Sequence, residues 1–327
     1  MLTDLALQNL LSPAVLFFLV GLLAAFANSD LTVPEPVAKF LSLYLLMSIG
    51  IRGGAELAHH GMTPKLMGSI AAGVAMSFAT PLVAYQILRR VSRLHPIDAA
   101  AVAGHYGSIS AVTFAAVTGA LNQLALPFEG YMVAVAAAME TPAIMSALNL
   151  ARPHRDLSST LNGRTVWREV LLNGSVVALL GAFLVGIITG QKGMTTVKPF
   201  LVDLFPGLLC LFLLDMGVVA GRGLQNGRKY LTASLGVFAV LMPLLGAGVA
   251  AGISVMIGLS AGGTAVLMTL AASSSYIAVP AALRLALPEA NAAIPLSMSL
   301  GVTFPFNLLL GIPLYIAVAS ALVKTSH

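Results

Sequence analysis

The sequence predicts an all-α polytopic membrane protein of about ten transmembrane helices, and three observations carry that prediction. Of its 327 residues only 9% are charged and 58% are hydrophobic, whereas a soluble domain carries about a quarter charged residues. The apolar runs are long and unbroken, which favours helices over the alternating ten-residue segments of a membrane barrel. Prolines and glycines punctuate the runs at intervals suited to spans of roughly 20 residues.

Each span follows from its own boundary. The first, 13–27, opens at Pro13. Its Ala25-Phe26-Ala27 imitates a signal-peptidase site, but residues 1–12 hold no Lys or Arg, only Asp4, so the basic leader region is missing and the run reads as a span. The second, 35–51, is flanked by Pro34 and Pro36; the third, 64–89, and the fourth, 96–122, open at Pro64 and Pro96; the fifth, 129–148, follows Pro127. The sixth, 169–190, ends at Gly190, and the seventh, 199–220, opens at Pro199. The eighth, 228–256, stops before Gly258; the ninth, 262–287, before Pro288; the tenth covers 291–322. The 31 glycines suit close helix packing in lipid. The single cysteine, Cys210, has no intrachain partner for a disulfide.

Charge sets the orientation. The odd-numbered loops carry 12 Lys and Arg and the other side carries 5. Basic residues stay on the cytoplasmic side, so both termini are expected outside a cell inner (plasma) membrane. The longest loop, 149–168, with Arg152, His154, Arg155 and Arg164, is then cytoplasmic. The net charge of +5 comes from short loops and suits anionic lipid rather than nucleic acid.

The chain also repeats itself. Residues 40–54 resemble 205–221, spans four and nine share a central polar interruption, and Glu140-Thr141-Pro142 answers Thr303-Phe304-Pro305. Five helices is an odd number, so the second copy inserts upside down. The expected organisation is a first repeat at 1–150, a cytoplasmic linker at 151–168 and a second repeat at 169–327. Inverted repeats of this kind are characteristic of secondary transporters.

The chemistry concentrates in Gly104-His105-Tyr106-Gly107-Ser108-Ile109-Ser110 and in Ser273-Ser274-Ser275-Tyr276. Small polar residues at mid-span favour a broken helix, tolerated only inside protein or beside a watery cavity. A break exposes a helix start that suits an anion, and carbonyls and hydroxyls that suit a hard cation such as Na⁺. Continuous helices with small-residue packing faces are the competing reading, weakened by the matched positions in the two halves. Glu140, Asp215, Asn173 and Asn307 also lie within spans. A mid-membrane carboxylate costs roughly 2.5–3.5 kcal/mol on insertion scales, which argues for use. For Asp215 an ion pair with Arg222 competes evenly with a transport role, and Asn173 reads as interfacial. His105 reads as a structural hydrogen-bond donor ahead of a proton relay.

Other classes fare worse. His105, Ser108 and Glu140 supply the ingredients of an intramembrane serine hydrolase, but no Gly-x-Ser-x-Gly elbow is present. There is no metal-ligand spacing and no phosphate loop. A passive channel fits two inverted halves less well than a carrier does, and a non-transporting sensor, which would bind ligand without flux, stands as an alternative.

Three strings point to a family. Ile49-Gly-Ile-Arg-Gly-Gly-Ala-Glu-Leu57, Tyr106-Gly-Ser-Ile-Ser-Ala-Val-Thr-Phe114 and Leu214-Asp-Met-Gly217 resemble the SbtA-type sodium-dependent bicarbonate transporters. The resemblance covers nearly the whole chain. It implies a ten-helix inverted repeat divided into scaffold and core, and Na⁺-driven bicarbonate uptake at two crossing broken helices. It also implies an elevator-like motion, a homotrimer and a PII-like cytoplasmic regulator. Gly107, Ser108, Ile109 and Ser110 would then present amides and hydroxyls to the anion, and Ser273, Ser274, Ser275 and Tyr276 would close the site. Na⁺ would be held by Ser108, Ser110, Glu140, Thr303 and Asn307. Another small organic anion in place of bicarbonate is the alternative substrate.

Overall fold

The computed structural model describes residues 11–61, 63–154, 174–227 and 230–325. The expected linker beyond His154, with Arg155, Arg164 and Arg168, and also Asn173, Arg228 and Lys229, lies outside the described residues. Among the described residues all regular structure is helical.

Local backbone chemistry explains most starts. Helix α1 (Pro13–Phe26) places Pro13 in its first turn, and its Val15 N–H donates to the Ser12 hydroxyl. Helix α2 (Glu35–His60) begins behind Pro34. Helix α3 (Pro64–Val91) is capped by Thr63 and α4 (Pro96–Gly107) by the His95 ring. Helices α5 (Ala111–Gln123), α6 (Met132–Ala138) and α7 (Glu140–Ala151) follow, with a short 3₁₀ turn at Arg152–His154.

The second half holds α8 (Gly174–Leu201), α9 (Phe205–Gly227), α10 (Ala233–Ile257), α11 (Ala261–Ala272) and α12 (Ala278–Ala286). Helices α13 (Ala293–Met298), α14 (Phe304–Phe306) and α15 (Ile312–Thr325) are joined into one long element by π-helical turns at Ser299–Thr303 and Asn307–Gly311.

Among the described residues, eight stretches are long and apolar enough to cross a membrane. They fall on the second to eighth and the tenth expected spans. The first and ninth positions hold the shorter apolar helices Pro13–Phe26 and Ala261–Ala272.

Several boundaries differ from expectation: the second span, expected to end at 51, runs on to His60, and the sixth, expected to end at Gly190, runs on to Leu201. Gly190 adopts φ +56°, a left-handed value that glycine takes without strain, so α8 bends there and re-forms rather than ending. The helix runs on through Pro199 to Leu201, and the next begins at Phe205. The added segment carries Gln191, Lys192, Thr195, Thr196 and Lys198, a polarity suited to a membrane surface rather than its interior.

The helices sort into two bodies. In the first, α1 packs on α9 and α2 on α8. Glycines let the backbones touch: Gly50 lies against Ala182 and Gly54 against Ile187, while Gly217 meets Leu22 and Gly221 meets Ala25. Residue numbers rise together along both contacts, so each pair runs parallel. Arg222 donates to the carbonyls of Ser29 (3.4 Å) and Leu31 (3.0 Å), and Arg52 to that of Val202 (3.1 Å). Tyr44 and Ser48 bond the carbonyls of Phe200 and Leu201. Each half thus clamps the other half's connecting loop.

The second body holds α3 to α7 and α10 to α15. Helix α3 packs on α4 and α10 on α11, and α4 meets α7 as α11 meets α15. The Glu129 carboxylate accepts from the Ser260 amide and hydroxyl, both at 2.8 Å, and Asp98 accepts from the Asn291 amide at 2.8 Å. Between the bodies lie apolar contacts. Phe18 meets Phe304 edge-on at 5.5 Å, and Gly119 faces Leu209.

Candidate functional site

Both polar interruptions are breaks. Helix α4 ends at Gly107, Ser108 is extended, and Ser110 restarts the chain by accepting the Thr113 N–H at 3.2 Å. Helix α11 ends at Ala272 and Ser273 is extended; at the start of α12 the Val279 N–H donates to Ser275 Oγ at 3.3 Å. Gly107, Ser108, Ile109, Ser110 and Ser273, Ser274, Ser275, Tyr276 are all buried, although six of them carry polar side chains.

The breaks cross and bind each other. Ser275 N–H donates to the His105 carbonyl (2.8 Å), and His105 Nδ1 returns a bond to the Ser275 carbonyl (2.6 Å). A carbonyl only accepts, so the proton sits on Nδ1. The Ser110 amide donates to Ser273 Oγ at 2.9 Å. His105 is therefore a structural clasp. Ser108 Oγ has no hydrogen-bond partner among the described residues, His105 included, so the serine–histidine pair of a hydrolase is not formed.

The last membrane element braces the crossing. Thr303 Oγ1 donates to the Ala239 carbonyl (2.8 Å) and receives the Tyr106 hydroxyl (2.7 Å). Asn307 Nδ2 donates to the Ala272 carbonyl (2.8 Å) while its Oδ1 accepts from Tyr315 (3.0 Å). Ser274 and Ser299 share a hydroxyl bond of 2.6 Å. Pro305, which lacks an N–H, lies between the two π turns that carry Ser299, Thr303 and Asn307. Ser299 and Tyr315 lie outside the segments that the sequence marks. The spacing of four that joins Ser299, Thr303 and Asn307 is the signal that finds them.

Glu140 stands apart. It is buried at the interruption between α6 and α7, next to Met139, whose carbonyl accepts the Ser77 hydroxyl. Its Oε2 has no hydrogen-bond partner among the described residues. It lines a small cavity with Ile109, Ser110, Ser275 and Tyr276, at the starts of both α5 and α12. The Tyr276 hydroxyl faces Ser110 without a hydrogen bond of normal geometry. The cavity therefore joins one carboxylate, three hydroxyl-bearing side chains and two positive helix ends. Among the described residues no group of three or more His, Cys, Asp and Glu is assembled. Oxygen donors of this kind suit a hard monovalent cation. Asp215 is buried in α9, in the other body, and does not line this cavity.

Known proteins complete the picture. No curated protein matches the chain. The family model described as the Na⁺-dependent bicarbonate transporter superfamily matches residues 13–320. With that match over nearly all of its length and its long apolar helices, the chain belongs to the Na⁺-dependent bicarbonate transporter superfamily.

Proposed function

We propose that this chain is a secondary active symporter that carries bicarbonate into the cell with Na⁺ at the crossing of its two broken helices. The observation that carries the reading is the cavity in which the Glu140 carboxylate, its Oε2 without a hydrogen-bond partner among the described residues, meets the starts of α5 and α12. Na⁺ sits against Glu140 and the hydroxyls of Ser108 and Ser110. The anion sits on the amides and hydroxyls of Gly107 to Ser110, with Ser273 to Tyr276 closing over it. Thr303 and Asn307, whose polar atoms hold Tyr106, Ala239, Ala272 and Tyr315, position the breaks around the cation. Each ion offsets the desolvation of the other, so each strengthens the other's binding by the same factor.

The pairing pattern supports a ten-span, five-plus-five inverted repeat at 1–150 and 169–327. Parallel contacts of span one with seven and of span two with six are unchanged when the halves are exchanged, as a two-fold axis in the membrane plane requires. The Lys and Arg bias supports an orientation with both termini outside. The elevator motion draws support from the two bodies. The named bonds that hold the breaks lie within the second body, and it meets the first through residues such as Phe18, Phe304, Gly119 and Leu209. Such a surface slides at little cost in hydrogen bonds. The homotrimer and a PII-like regulator rest on the family resemblance alone.

The test is uptake of labelled bicarbonate into proteoliposomes with and without an inward Na⁺ gradient. Accumulation that needs the gradient, and that is lost in Ser108→Ala/Ser110→Ala, supports the reading. Uptake indifferent to Na⁺ removes the coupling.

A further inference from the structure

A second, larger cavity lies between the two bodies. It measures about 690 Å³ including its mouth. The first body lines it with Arg52, Glu56 and Phe205, the second with Thr118 and Asn122 of α5 and Gly130 of the following loop. Thr118 stands seven residues along α5 from Ala111, so the cavity lies about 10 Å beyond the broken-helix site on the same helix.

Arg52 is held in place there. Its Nη2 donates to the Val202 carbonyl at 3.1 Å, and the guanidinium lies over the Phe205 ring, 5.1 Å from the centroid. Its Nε–H is buried without a hydrogen-bond partner among the described residues. Asp203, the carboxylate that acts on it through space, is paired with Lys198 at 3.1 Å. Glu56, one turn along α2, presses its carboxylate on Gly130. The cavity also sits at the last turns of α5, where the helix carries partial negative charge. An anion approaching along α5 would be repelled at that end unless a fixed cation offset it. Arg52 supplies that charge, with a planar fork of donors matched to an oxyanion. Asn122, exposed on the facing wall, adds an amide donor.

We infer that this cavity is an antechamber that binds a small planar oxyanion between Arg52 and Asn122 before it passes along α5 to the broken helices. The inference rests on the transport reading for the identity of the anion as bicarbonate. Arg52 belongs to the first body and α5 to the second, so the anion is handed from one body to the other.

The test separates the two ideas. In a Cys210→Ala background, which removes the native thiol of the chain, Leu126→Cys, at a half-buried lining position outside the anion's two proposed ligands, is modified by a membrane-impermeant thiosulfonate. Bicarbonate is expected to slow that modification several-fold. Adding Arg52→Gln, which keeps an amide for the Val202 carbonyl, should abolish the protection, and adding Ser108→Ala should leave it. In transport, Arg52→Gln and Asn122→Asp should each raise the half-saturating bicarbonate about tenfold, with the Na⁺ half-saturation at saturating bicarbonate unmoved. A modification rate indifferent to bicarbonate, or protection that survives Arg52→Gln, overturns the antechamber. Protection by bicarbonate in a protein that shows no Na⁺-driven uptake would keep the antechamber and remove the symport.

Discussion

Replacing Glu140 by Gln keeps the shape of the side chain and removes its charge from the cavity shared by α5 and α12. A unit charge 4 Å from a cation is worth about 4 kcal/mol at an effective dielectric of 20. Dehydrating both groups offsets a large part of that gain. If about half remains, the loss is roughly 2 kcal/mol, or about 30-fold in Na⁺ affinity. Initial uptake of labelled bicarbonate measured against external Na⁺ should therefore show the half-saturating Na⁺ rising about 30-fold in Glu140→Gln. Glu140→Asp, which keeps the charge on a shorter arm, should fall between. Linkage adds a second readout, because the Na⁺ concentration at which Na⁺ improves bicarbonate affinity should rise by the same factor. An unchanged Na⁺ half-saturation in Glu140→Gln, with transport intact, would refute the assignment of the cation to this carboxylate.

Three further outcomes follow from the bracing around the breaks. His105→Asn retains an N–H donor for the Ser275 carbonyl, whereas His105→Ala leaves that buried carbonyl short of a partner; thermal unfolding in detergent should show only the alanine variant destabilised, by about 1–3 kcal/mol. Thr303→Val preserves volume but strands the Tyr106 hydroxyl, and the same assay should show a loss of about 1–3 kcal/mol that Thr303→Ser largely restores. Gly107→Ala would place a methyl 2.6 Å from Pro81 Cδ, forcing α4 away from α3 at the break; size-exclusion profiles should stay normal while uptake falls at least tenfold.

Much of this architecture can be read from local chemistry. Ser12-Pro13, Thr63-Pro64 and His95-Pro96 open helices because a side-chain acceptor meets a residue that needs no N–H partner. Gly258 closes one in the left-handed region. Gly190 carries the same conformational freedom, yet its helix resumes, and no neighbouring residue announces which outcome follows. The two breaks are visible as small polar residues within apolar runs. Their crossing is not, because the bonds of Ser110 to Ser273 and His105 to Ser275 join residues more than 160 positions apart. Prolines 142 and 305 drew attention to Glu140, Thr303 and Asn307. Only three-dimensional neighbours reveal that Glu140 faces a cavity while Thr303 and Asn307 are taken up by Tyr106, Ala239, Ala272 and Tyr315. Arg52 reads from the sequence as a span-end cation. The cavity it lines is assembled from residues between Ile49 and Phe205.

The central claim is that one anion and its coupling cation occupy the same crossing and move together. Radiolabelled Na⁺ and radiolabelled bicarbonate followed in parallel in the same proteoliposomes test it most directly. The account predicts that each flux requires the other ion on the same side of the membrane and that Glu140→Gln depresses both together. Bicarbonate entry that proceeds with no accompanying Na⁺ movement would contradict it.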